Sequence, residues 1–309
     1  MWGRAKNAIS TPIGWCSIAD SEYLQPVFIL RGDITMRQTT AVILGAGKGT
    51  RMKSDLPKVL HTVEGKPMVQ HTIERARAAG VSDIIIVVGY KRDMVMEALK
   101  DLDVKFAIQE EQRGTGHAVA QARPYLENFD GNVVVLYGDM PLLSTETIRS
   151  LIQRRDETNA AGAILTIVLD NPPDFGRIVR DETGRVLRVV EVKDASPEIL
   201  AIKEVNVGAY CFDCQALLPA LDQLRDDNAQ GEFYLTDVVE ILAGQGLRVE
   251  TVVTPNLEEA LGVNDPVHLA FAEKLSDIRY AESLYDLIDA TVAMSRARRS
   301  GGAASEGSP

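Results

Sequence analysis

The chain has 309 residues and is 45% hydrophobic, which is enough to bury the core of one large α/β domain or of two closely joined lobes. Its formal net charge of -11 argues against nucleic acid or an anionic membrane surface as the main partner, so an anionic ligand must meet a local basic site. The chain has only three cysteines, so we predict a reduced protein without a disulfide framework. The sequence has no apolar run near the roughly 20 residues of a membrane span and no secretory signal pattern, which predicts a cytoplasmic location.

The first 35 residues show no sustained hydrophobic period, and we predict a poorly ordered extension to which no function is assigned. From Thr40 onward, apolar runs typical of buried strands alternate with amphipathic stretches typical of helices. This alternation predicts right-handed crossovers and an α/β fold with a doubly wound, mostly parallel sheet. The predicted strands are residues 41–44, 83–88, 104–108 and 133–137, and the predicted helices are residues 68–79, 94–99 and 118–125.

The pattern changes after about residue 150. A β-rich run at 163–169, a hairpin at 177–190 that turns at 181–184, a strand at 205–212 and a helix at 235–242 predict a second lobe laid against the first sheet. We therefore divide a domain of residues 36–275 into halves of about 36–150 and 151–275. A helix is predicted at 257–275, a C-terminal helix within 276–299 that is amphipathic over 280–294, and a disordered Gly/Ala/Ser tail at 300–309.

The sharpest motif is a glycine loop directly after the first predicted strand, with the sequence Leu44-Gly45-Ala46-Gly47-Lys48-Gly49-Thr50-Arg51-Met52. Open α/β sheets bind their ligands at this end of the strands. Glycines at alternate positions let backbone N–H groups approach phosphate oxygens closely. Four cations in and after the loop reverse the acidic balance of the chain locally, which suits a triphosphate: Lys48, Arg51, Lys53 and Lys58.

Other types of glycine loop require different residues after the glycines. A P-loop ends in Gly-Lys-Ser/Thr, whereas the frame that begins at Gly45 runs into Arg51. A dinucleotide loop requires Gly or Ala at the position of Thr50 and a crossover helix of about 10 residues, but Pro57 interrupts the short segment before the next apolar run. A tight turn with no ligand remains the structural alternative.

Four residues elsewhere could complete a nucleotide site. Lys58 follows Pro57, whose fixed φ would hold the approach of the lysine to the loop, although a lysine in this context is often a solvated turn residue. Gln109, Gly114 and Thr115 lie between a strand and a helix, where an amide and backbone groups could read a base edge. Helix capping is the structural alternative for Thr115.

Two oxygen-bearing side chains suit a magnesium ion. Asp139 follows the apolar strand 133–137, and Asn264 could supply an amide oxygen as a second ligand. The structural alternatives are a loop-capping aspartate and a helix-capping asparagine. Cys211 and Cys214 have the spacing of a metal site but lack partners, since zinc needs about four ligands, so a structural role is favoured.

Together these motifs resemble the sugar-phosphate nucleotidyltransferases, and most closely the family of bacterial N-acetylglucosamine-1-phosphate uridylyltransferases. The resemblance covers about residues 40–275 and rests on the glycine loop and on motifs at 54–61, 112–117, 137–139, 176–178, 191–195, 206 and 262–264. It implies a Rossmann-like domain with a β-rich sugar-binding lobe that joins UTP and N-acetylglucosamine 1-phosphate for cell-envelope precursor synthesis. The acetyltransferase domain that often accompanies such a domain is not found in this sequence, so acetyl transfer is expected to be absent.

The resemblance also implies roles for the matching residues. Arg51 and Lys58 would be catalytic, and Asp139 and Asn264 would hold Mg²⁺. Uracil would be read by the group around Gln109, and the sugar by three residues of the second half. The implied substrate-binding residues are Leu44, Gly45, Ala46, Gly47, Lys58, Gln109, Gly114, Thr115, Tyr137, Gly138, Asp139, Gly176, Glu191, Asn206 and Asn264.

Three positions depart from the family pattern. Gly45 stands where alanine is common, Val192 where histidine is frequent, and Val207 where threonine often follows Asn206. The last two lie near the expected sugar site, so a nucleotidyltransferase for another sugar phosphate, a polyol phosphate or a molybdopterin-type acceptor remains an alternative. A non-catalytic regulator that binds a nucleotide sugar is a second alternative. A nicotinamide oxidoreductase is disfavoured by the short segment after the glycine loop.

Overall fold

A computed structural model of the chain describes residues 37–279. The predicted extension at 1–35, the amphipathic helix at 280–294 and the tail at 300–309 lie outside the described residues. Within the described range, no helix has the length and apolar character needed to cross a membrane. The cytoplasmic location stays a prediction.

The first half contains the parallel strands that the sequence predicts. Strands β1 (Thr39–Leu44), β4 (Asp83–Val88), β5 (Lys105–Ile108) and β6 (Asn132–Tyr137) pair in parallel in the order β6-β1-β4-β5. Between them lie a two-stranded hairpin, β2 (Thr62–Val63) and β3 (Lys66–Pro67), and the helices α1 (Met68–Ala78), α2 (Arg92–Ala98), α3 (Thr115–Ala120) and α4 (Arg123–Leu126). The predicted helix 118–125 is wrong as one element. It is split into α3 and α4 because Pro124, which lacks an N–H, fits only the first turn of a new helix.

The second half continues the same sheet. Its elements are α5 (Thr145–Thr158), β7 (Gly162–Val168), β8 (Arg177–Arg180), β9 (Val186–Val190), α6 (Pro197–Leu200), β10 (Glu204–Asp213), α7 (Cys214–Leu221), α8 (Asp237–Gly244) and β11 (Val249–Val253). Strand β10 runs antiparallel between β6 and β7, β11 is parallel to β7, and the hairpin β8–β9 joins at β10. A second lobe laid against the first sheet was therefore a wrong expectation. Strand β10 instead covers the edge of β6, whose N–H and C=O groups would otherwise be unpaired.

Each face of the sheet has its own core. Along β1, Ala41 and Ile43 face the layer of α1, α2 and α5, whereas Val42 and Leu44 face the layer of α3, α4, α7 and α8. Successive side chains of a strand point to opposite faces, so a run that is buried throughout requires helices on both sides. The fold is therefore three-layered, and the ends of its parallel strands remain open to ligands.

The predicted helix 257–275 is interrupted. A 3-10 helix spans Leu257–Ala260, a loop follows at 261–265, and helix α9 occupies 266–279. Asp265 caps α9, since its Oδ1 accepts hydrogen bonds of 2.9 Å from the backbone N–H groups of Val267 and His268. Pro266 then begins the helix, where its missing N–H costs nothing. The break leaves Asn264 in the loop, and the capping role that was its structural alternative belongs to Asp265.

Candidate active site

A cavity of about 250 Å³ lies beyond the carboxyl ends of β1, β5 and β6. It collects residues from distant parts of the chain, most of which the sequence singles out. Its lining residues are Leu44, Gly45, Ala46, Gly47, Lys58, Val59, Gln109, Gln112, Gly114, Thr115, Ala118, Tyr137, Asp139 and Glu232. The position agrees with the general rule that open α/β sheets bind ligands outside the carboxyl ends of their strands.

The glycine loop forms one wall and is held by its neighbours. The N–H of Gly45 donates to Val87 O, and the N–H of Gly138 donates to Leu44 O, both at 2.9 Å. Gly49 has φ of 62°, and a Cβ added to it would lie 2.6 Å from Lys58 Cβ. Only glycine allows this backbone conformation and this close approach together. The glycine loop therefore packs closely against Lys58.

The departure at Gly45 is harmless in this fold. A Cβ at this position would lie 3.4 Å from Val87 O and 3.7 Å from the methyl groups of Val59, which are ordinary contacts. The alanine that is common in the resembling family would fit here without displacing a neighbour.

Lys58 is the centre of a small polar cluster. Its Nζ forms an ion pair with Asp139 Oδ2 and donates a hydrogen bond of 3.0 Å to Asn264 Oδ1. The side chains of Lys58 and Asp139 are 17% and 13% exposed, so the ion pair is largely shielded from water. A hydrogen bond of 2.9 Å from Val263 N to Asp139 O joins the two loops. Lys58 is therefore not a solvated turn residue.

The same two oxygens fit the ligand preference of magnesium. Asp139 Oδ2 and Asn264 Oδ1 already converge on one cation, the Lys58 ammonium. The Asn264 amide is oriented by its own Nδ2, which donates to Gly262 O at 3.1 Å. No group of three His, Cys, Asp or Glu side chains within residues 37–279 could hold a metal by itself. A magnesium ion here would take its other ligands from phosphate oxygens and water, as it commonly does.

The opposite wall can read a planar base. Gln109 is buried, and its Nε2 lies 3.1 Å from Gly114 O and 3.0 Å from His117 Nδ1. Gly114 has φ of 108°, and an added Cβ would lie 2.6 Å from Phe233 O. Thr115 does not cap α3, whose N-cap is Gly114, but its Oγ1 accepts a 3.0 Å hydrogen bond from Leu235 N.

Tyr137 lies between this wall and a second polar cluster. Burial raises the pKa of its hydroxyl, and the charges of Glu191 and Asp139 add to the shift. The same hydroxyl lies beside the side chains of Thr115 and Tyr210. Tyr137 is therefore neutral at physiological pH and available only as a hydrogen-bonding group.

The second cluster, which we call the 176–206 cluster, contains Gly176, Glu191 and Asn206. The N–H of Asn206 donates to Gly176 O at 2.8 Å, and a Cβ on Gly176 would lie 3.5 Å from Glu191 Oε1. Thr236 Oγ1 donates to Glu191 Oε1 at 3.0 Å. Burial raises the pKa of Glu191, although the hydrogen bond from Thr236 opposes the shift. The cluster thus places a carboxylate and an amide beside a closely packed glycine.

Two residues named from the sequence lie elsewhere. Arg51 is exposed on a 3-10 helix at Thr50–Met52 and does not line the cavity. The hydrogen bond from the backbone N–H of His268 is the main cause that lowers the pKa of Asp265, and the charge of Arg51 adds to this shift. Val207 is buried in the core beneath α5, on the face of β10 opposite to Tyr210. The departure at Val207 therefore does not touch the 176–206 cluster.

Sequence reasoning did not assign a role to several residues that the structure brings to the site. Gln112 and Glu232 line the cavity, while Thr236 and Tyr210 hold Glu191 and Asn206. Gln112 lies within the motif at 112–117, so its proximity to the site could have been inferred. Glu232, Thr236 and Tyr210 belong to segments whose sequences predict only a turn, the start of a helix and a strand, respectively.

The two cysteines of the predicted structural pair point to different cores. Cys211 is buried in the core beneath α5, and Cys214 in the core beneath α7 and α8. Their separation across the sheet is incompatible with a shared metal site.

The fold described above is that of a nucleotide-transferring domain. Residues 41–240 match the model of the MobA-like NTP transferase domain, and the chain belongs to this family. Two similar proteins are named bifunctional protein GlmU: one from Geobacillus sp. (strain WCH70), 51% identical over 76% of this chain and 51% of its own length, and one from Brevibacillus brevis, 51% identical over 77% of this chain and 51% of its own.

The chain thus spans about half the length of the curated relatives it matches. A solved structure from Bacillus anthracis, described as a glucose-1-phosphate thymidylyltransferase, superimposes with a TM-score of 0.64 over 77% of this chain and 94% of that one. At 19% sequence identity, this likeness supports the nucleotidyltransferase fold alone.

Proposed function

We propose that this chain transfers a uridylyl group from UTP to N-acetylglucosamine 1-phosphate, forming UDP-N-acetylglucosamine and pyrophosphate. The observation that carries the proposal is the single cavity that brings together the glycine loop, the Lys58 cluster and the Gln109 wall. The 176–206 cluster adjoins it through Tyr137. The family match and the two relatives named GlmU support the same activity.

The glycine loop suits the triphosphate. Its backbone N–H groups lie at the end of β1, and Gly47 has no heavy atom within 4 Å of where a Cβ would be, so phosphate oxygens can approach. Lys58 supplies a full positive charge at the same end of the cavity. In a chain of net charge -11, this local basic group is what allows a polyanion to bind.

The Gln109 wall suits uracil. The contact with Gly114 O requires the nitrogen of the Gln109 amide on that side, because two carbonyl oxygens would repel each other. Both N–H groups of the amide are then engaged, by Gly114 O and by His117 Nδ1 in the ring tautomer protonated at Nε2, which leaves the amide oxygen to accept a hydrogen bond. Uracil offers an N–H at position 3, whereas cytosine has an acceptor there. UTP is therefore favoured over CTP.

The 176–206 cluster suits an N-acetylamino sugar. The Glu191 carboxylate can accept from sugar hydroxyls, and the Asn206 amide can serve either a hydroxyl or the acetamido group. Gly176 allows close packing beside Glu191, since an added Cβ would lie 2.8 Å from Val189 Cγ1 and 3.5 Å from Glu191 Oε1. These contacts would orient the sugar so that its phosphate faces the triphosphate.

The reaction is a single in-line displacement. An oxygen of the sugar 1-phosphate forms a bond to the α-phosphorus of UTP, and the bond from that phosphorus to the oxygen bridging to the β-phosphate breaks. The electron pair leaves with pyrophosphate, and no proton transfer to the protein is required. Transfers of this type are accelerated mainly by positioning and by positive charge around the phosphate oxygens, which the site residues supply.

Asp139 and Asn264 would hold the magnesium ion, which when bound supplies positive charge to the phosphate oxygens. Lys58 engages the same two oxygens in the ligand-free chain. A triphosphate offers the Lys58 ammonium a new anionic partner. We infer that Lys58 turns from Asp139 and Asn264 to the phosphates on substrate binding, and so frees both oxygens for the metal.

The proposal is tested by identifying the product. The purified chain is incubated with magnesium, UTP and N-acetylglucosamine 1-phosphate, with and without EDTA, and the nucleotide products are identified by mass spectrometry. We expect UDP-N-acetylglucosamine only in the sample without EDTA. If the chain forms a nucleotide sugar only from another sugar phosphate, the assignment of N-acetylglucosamine 1-phosphate as the acceptor is wrong. If it binds UTP and the sugar phosphate but forms no product, a non-catalytic regulator is favoured.

A further inference from the structure

Strand β10, which carries Asn206, contains a bulge that brings two of its own side chains together. From Asn206 to Tyr210 it advances four residues, while its partner β7 advances only from Thr166 to Ile164. In a regular strand four residues span about 13 Å, so these two side chains would not meet. Here Asn206 Nδ2 donates a hydrogen bond of 2.7 Å to the Tyr210 hydroxyl.

The bulge holds the Asn206 amide at both ends. Gly208 N donates to Asn206 Oδ1 at 3.1 Å while the Tyr210 hydroxyl accepts from Nδ2. Gly208 has φ of 97°, and an added Cβ would lie 3.1 Å from Tyr137 Cε2, so glycine is required at the turn. The amide cannot rotate without losing a hydrogen bond. One N–H of its NH₂ group remains for a ligand.

Tyr210 itself is fully buried, and its ring stacks on Phe212 with centroids 5.7 Å apart and an interplanar angle of 14°. Packing alone would be satisfied by phenylalanine, which has no buried hydroxyl to desolvate. The hydroxyl is therefore the part of this side chain that needs an explanation. Its partners are Asn206, which belongs to the proposed sugar site, and the neighbouring hydroxyl of Tyr137, a residue that lines the cavity.

We propose that Tyr210 is a positioning residue for the sugar phosphate. It touches no substrate, and it acts by fixing the amide of Asn206 in the one orientation that presents the remaining N–H to an acceptor oxygen of the sugar. The proposal rests on the proposed function, because Asn206 is a sugar-binding residue only there. It assigns the sugar preference in part to a residue within the core.

The test compares binding of UDP-N-acetylglucosamine and of UDP by calorimetry in the whole chain. Four forms are measured: wild type, Tyr210→Phe, Asn206→Ala and the double variant. Tyr125→Phe is a matched control, since the Tyr125 hydroxyl bonds to Phe106 O away from the cluster. We expect Tyr210→Phe to weaken UDP-N-acetylglucosamine about five- to twentyfold, as befits one lost hydrogen bond, and to leave UDP unchanged. Once Asn206 is alanine, the second substitution should have no further effect.

Three results would overturn the proposal. The first is an affinity of Tyr210→Phe for UDP-N-acetylglucosamine equal to that of wild type, and the second is a double variant in which the losses of affinity from the two substitutions add. The third is an equal loss of affinity for UDP in Tyr210→Phe together with a lower melting temperature, which indicates general structural damage. Wild-type protein that binds UDP but not UDP-N-acetylglucosamine would instead contradict the sugar assignment of the proposed function, and this proposal with it.

Discussion

The proposed nucleotide end of the site, which is the cavity, and the proposed sugar end, which is the adjoining 176–206 cluster, are built differently. At the nucleotide end, the groups that face a ligand come from loops that follow the parallel strands β1, β5 and β6, and many are backbone groups. At the proposed sugar end they are the side chains of Glu191, directly after β9, and Asn206 of β10, held by Thr236 and Tyr210. The nucleotide end is therefore set by local loop geometry, and the sugar end by pairing between distant segments.

The largest loss of turnover is expected from a substitution in the Lys58 cluster, where the reacting phosphates would lie. Asp139→Ala removes a proposed metal ligand and the partner of Lys58, so turnover should fall by about a thousandfold or more, as when a preorganised electrostatic group is lost. Steady-state kinetics measures this loss. Asp83→Ala is the matched control, since it removes an exposed carboxylate that pairs with Lys105 on the surface. Near-normal turnover in folded Asp139→Ala protein would remove Asp139 from the site.

A second substitution tests the local geometry of the nucleotide end. Gly49→Ala adds a Cβ 2.6 Å from Lys58 Cβ, so the loop and the lysine must separate. A displacement of about 1 Å in a catalytic group can reduce turnover about a hundredfold, and we expect a loss of this order. Gly65→Ala shares the positive φ, at 74°, but has no atom within 4 Å. Equal losses in both variants would show that backbone strain matters and the contact with Lys58 does not.

Competition between the Lys58 ammonium and a metal ion for the oxygens of Asp139 and Asn264 can be tested by metal binding, without measuring turnover. Lys58→Met removes the cation that occupies Asp139 and Asn264, so nucleotide-free protein should bind Mn²⁺ about tenfold tighter or more, as followed by electron paramagnetic resonance. Lys66→Met removes one exposed charge elsewhere and controls for the change in net charge. Unchanged Mn²⁺ affinity in Lys58→Met would show that Lys58 does not compete with the metal.

The sugar end should respond to pH through Glu191. The carboxylate must be ionised to accept sugar hydroxyls, and burial raises its pKa, so the ionised fraction declines as pH falls before that of an ordinary glutamate does. The KM for the sugar phosphate should therefore rise toward acidic pH. Glu191→Gln should raise this KM about fivefold to tenfold, because a charged acceptor is lost, and leave the KM for UTP unchanged.

Both KM values are measured across pH in the two proteins. The substrate phosphates titrate identically in each, so only the difference between the profiles reports on Glu191. Parallel profiles would mean that the Glu191 carboxylate does not bind the sugar in its ionised form.

The same contrast explains what sequence reasoning could reach. The glycine loop, Asp139 and the strands beside them were predicted because each depends on a few consecutive residues, such as the apolar run that becomes β6. The contact between Asn206 and Tyr210 depends on two extra residues opposite β7, and the sequence of β10 alternates as a regular strand would. Its bulge appears only in the pairing.

Other misses have local causes. Helix α5 was not predicted because charged residues surround its few apolar ones, although Ser144 caps it with a 3.1 Å hydrogen bond from Thr147 N. That cap was a readable signal. Arg51 was placed near the phosphates because it follows the glycines, but left-handed backbone at Gly49 and Lys53 bounds a 3-10 helix on which Arg51 is exposed. Its catalytic role stays a prediction.

The most direct test of the account is pyrophosphate release by the purified chain with magnesium, across UTP, CTP, GTP and ATP, each paired with N-acetylglucosamine 1-phosphate or glucose 1-phosphate. The account predicts release that is selective for UTP with N-acetylglucosamine 1-phosphate, because the Gln109 wall and the 176–206 cluster each contribute selectivity. Absence of release with every pair, from folded protein that binds UTP, would contradict it.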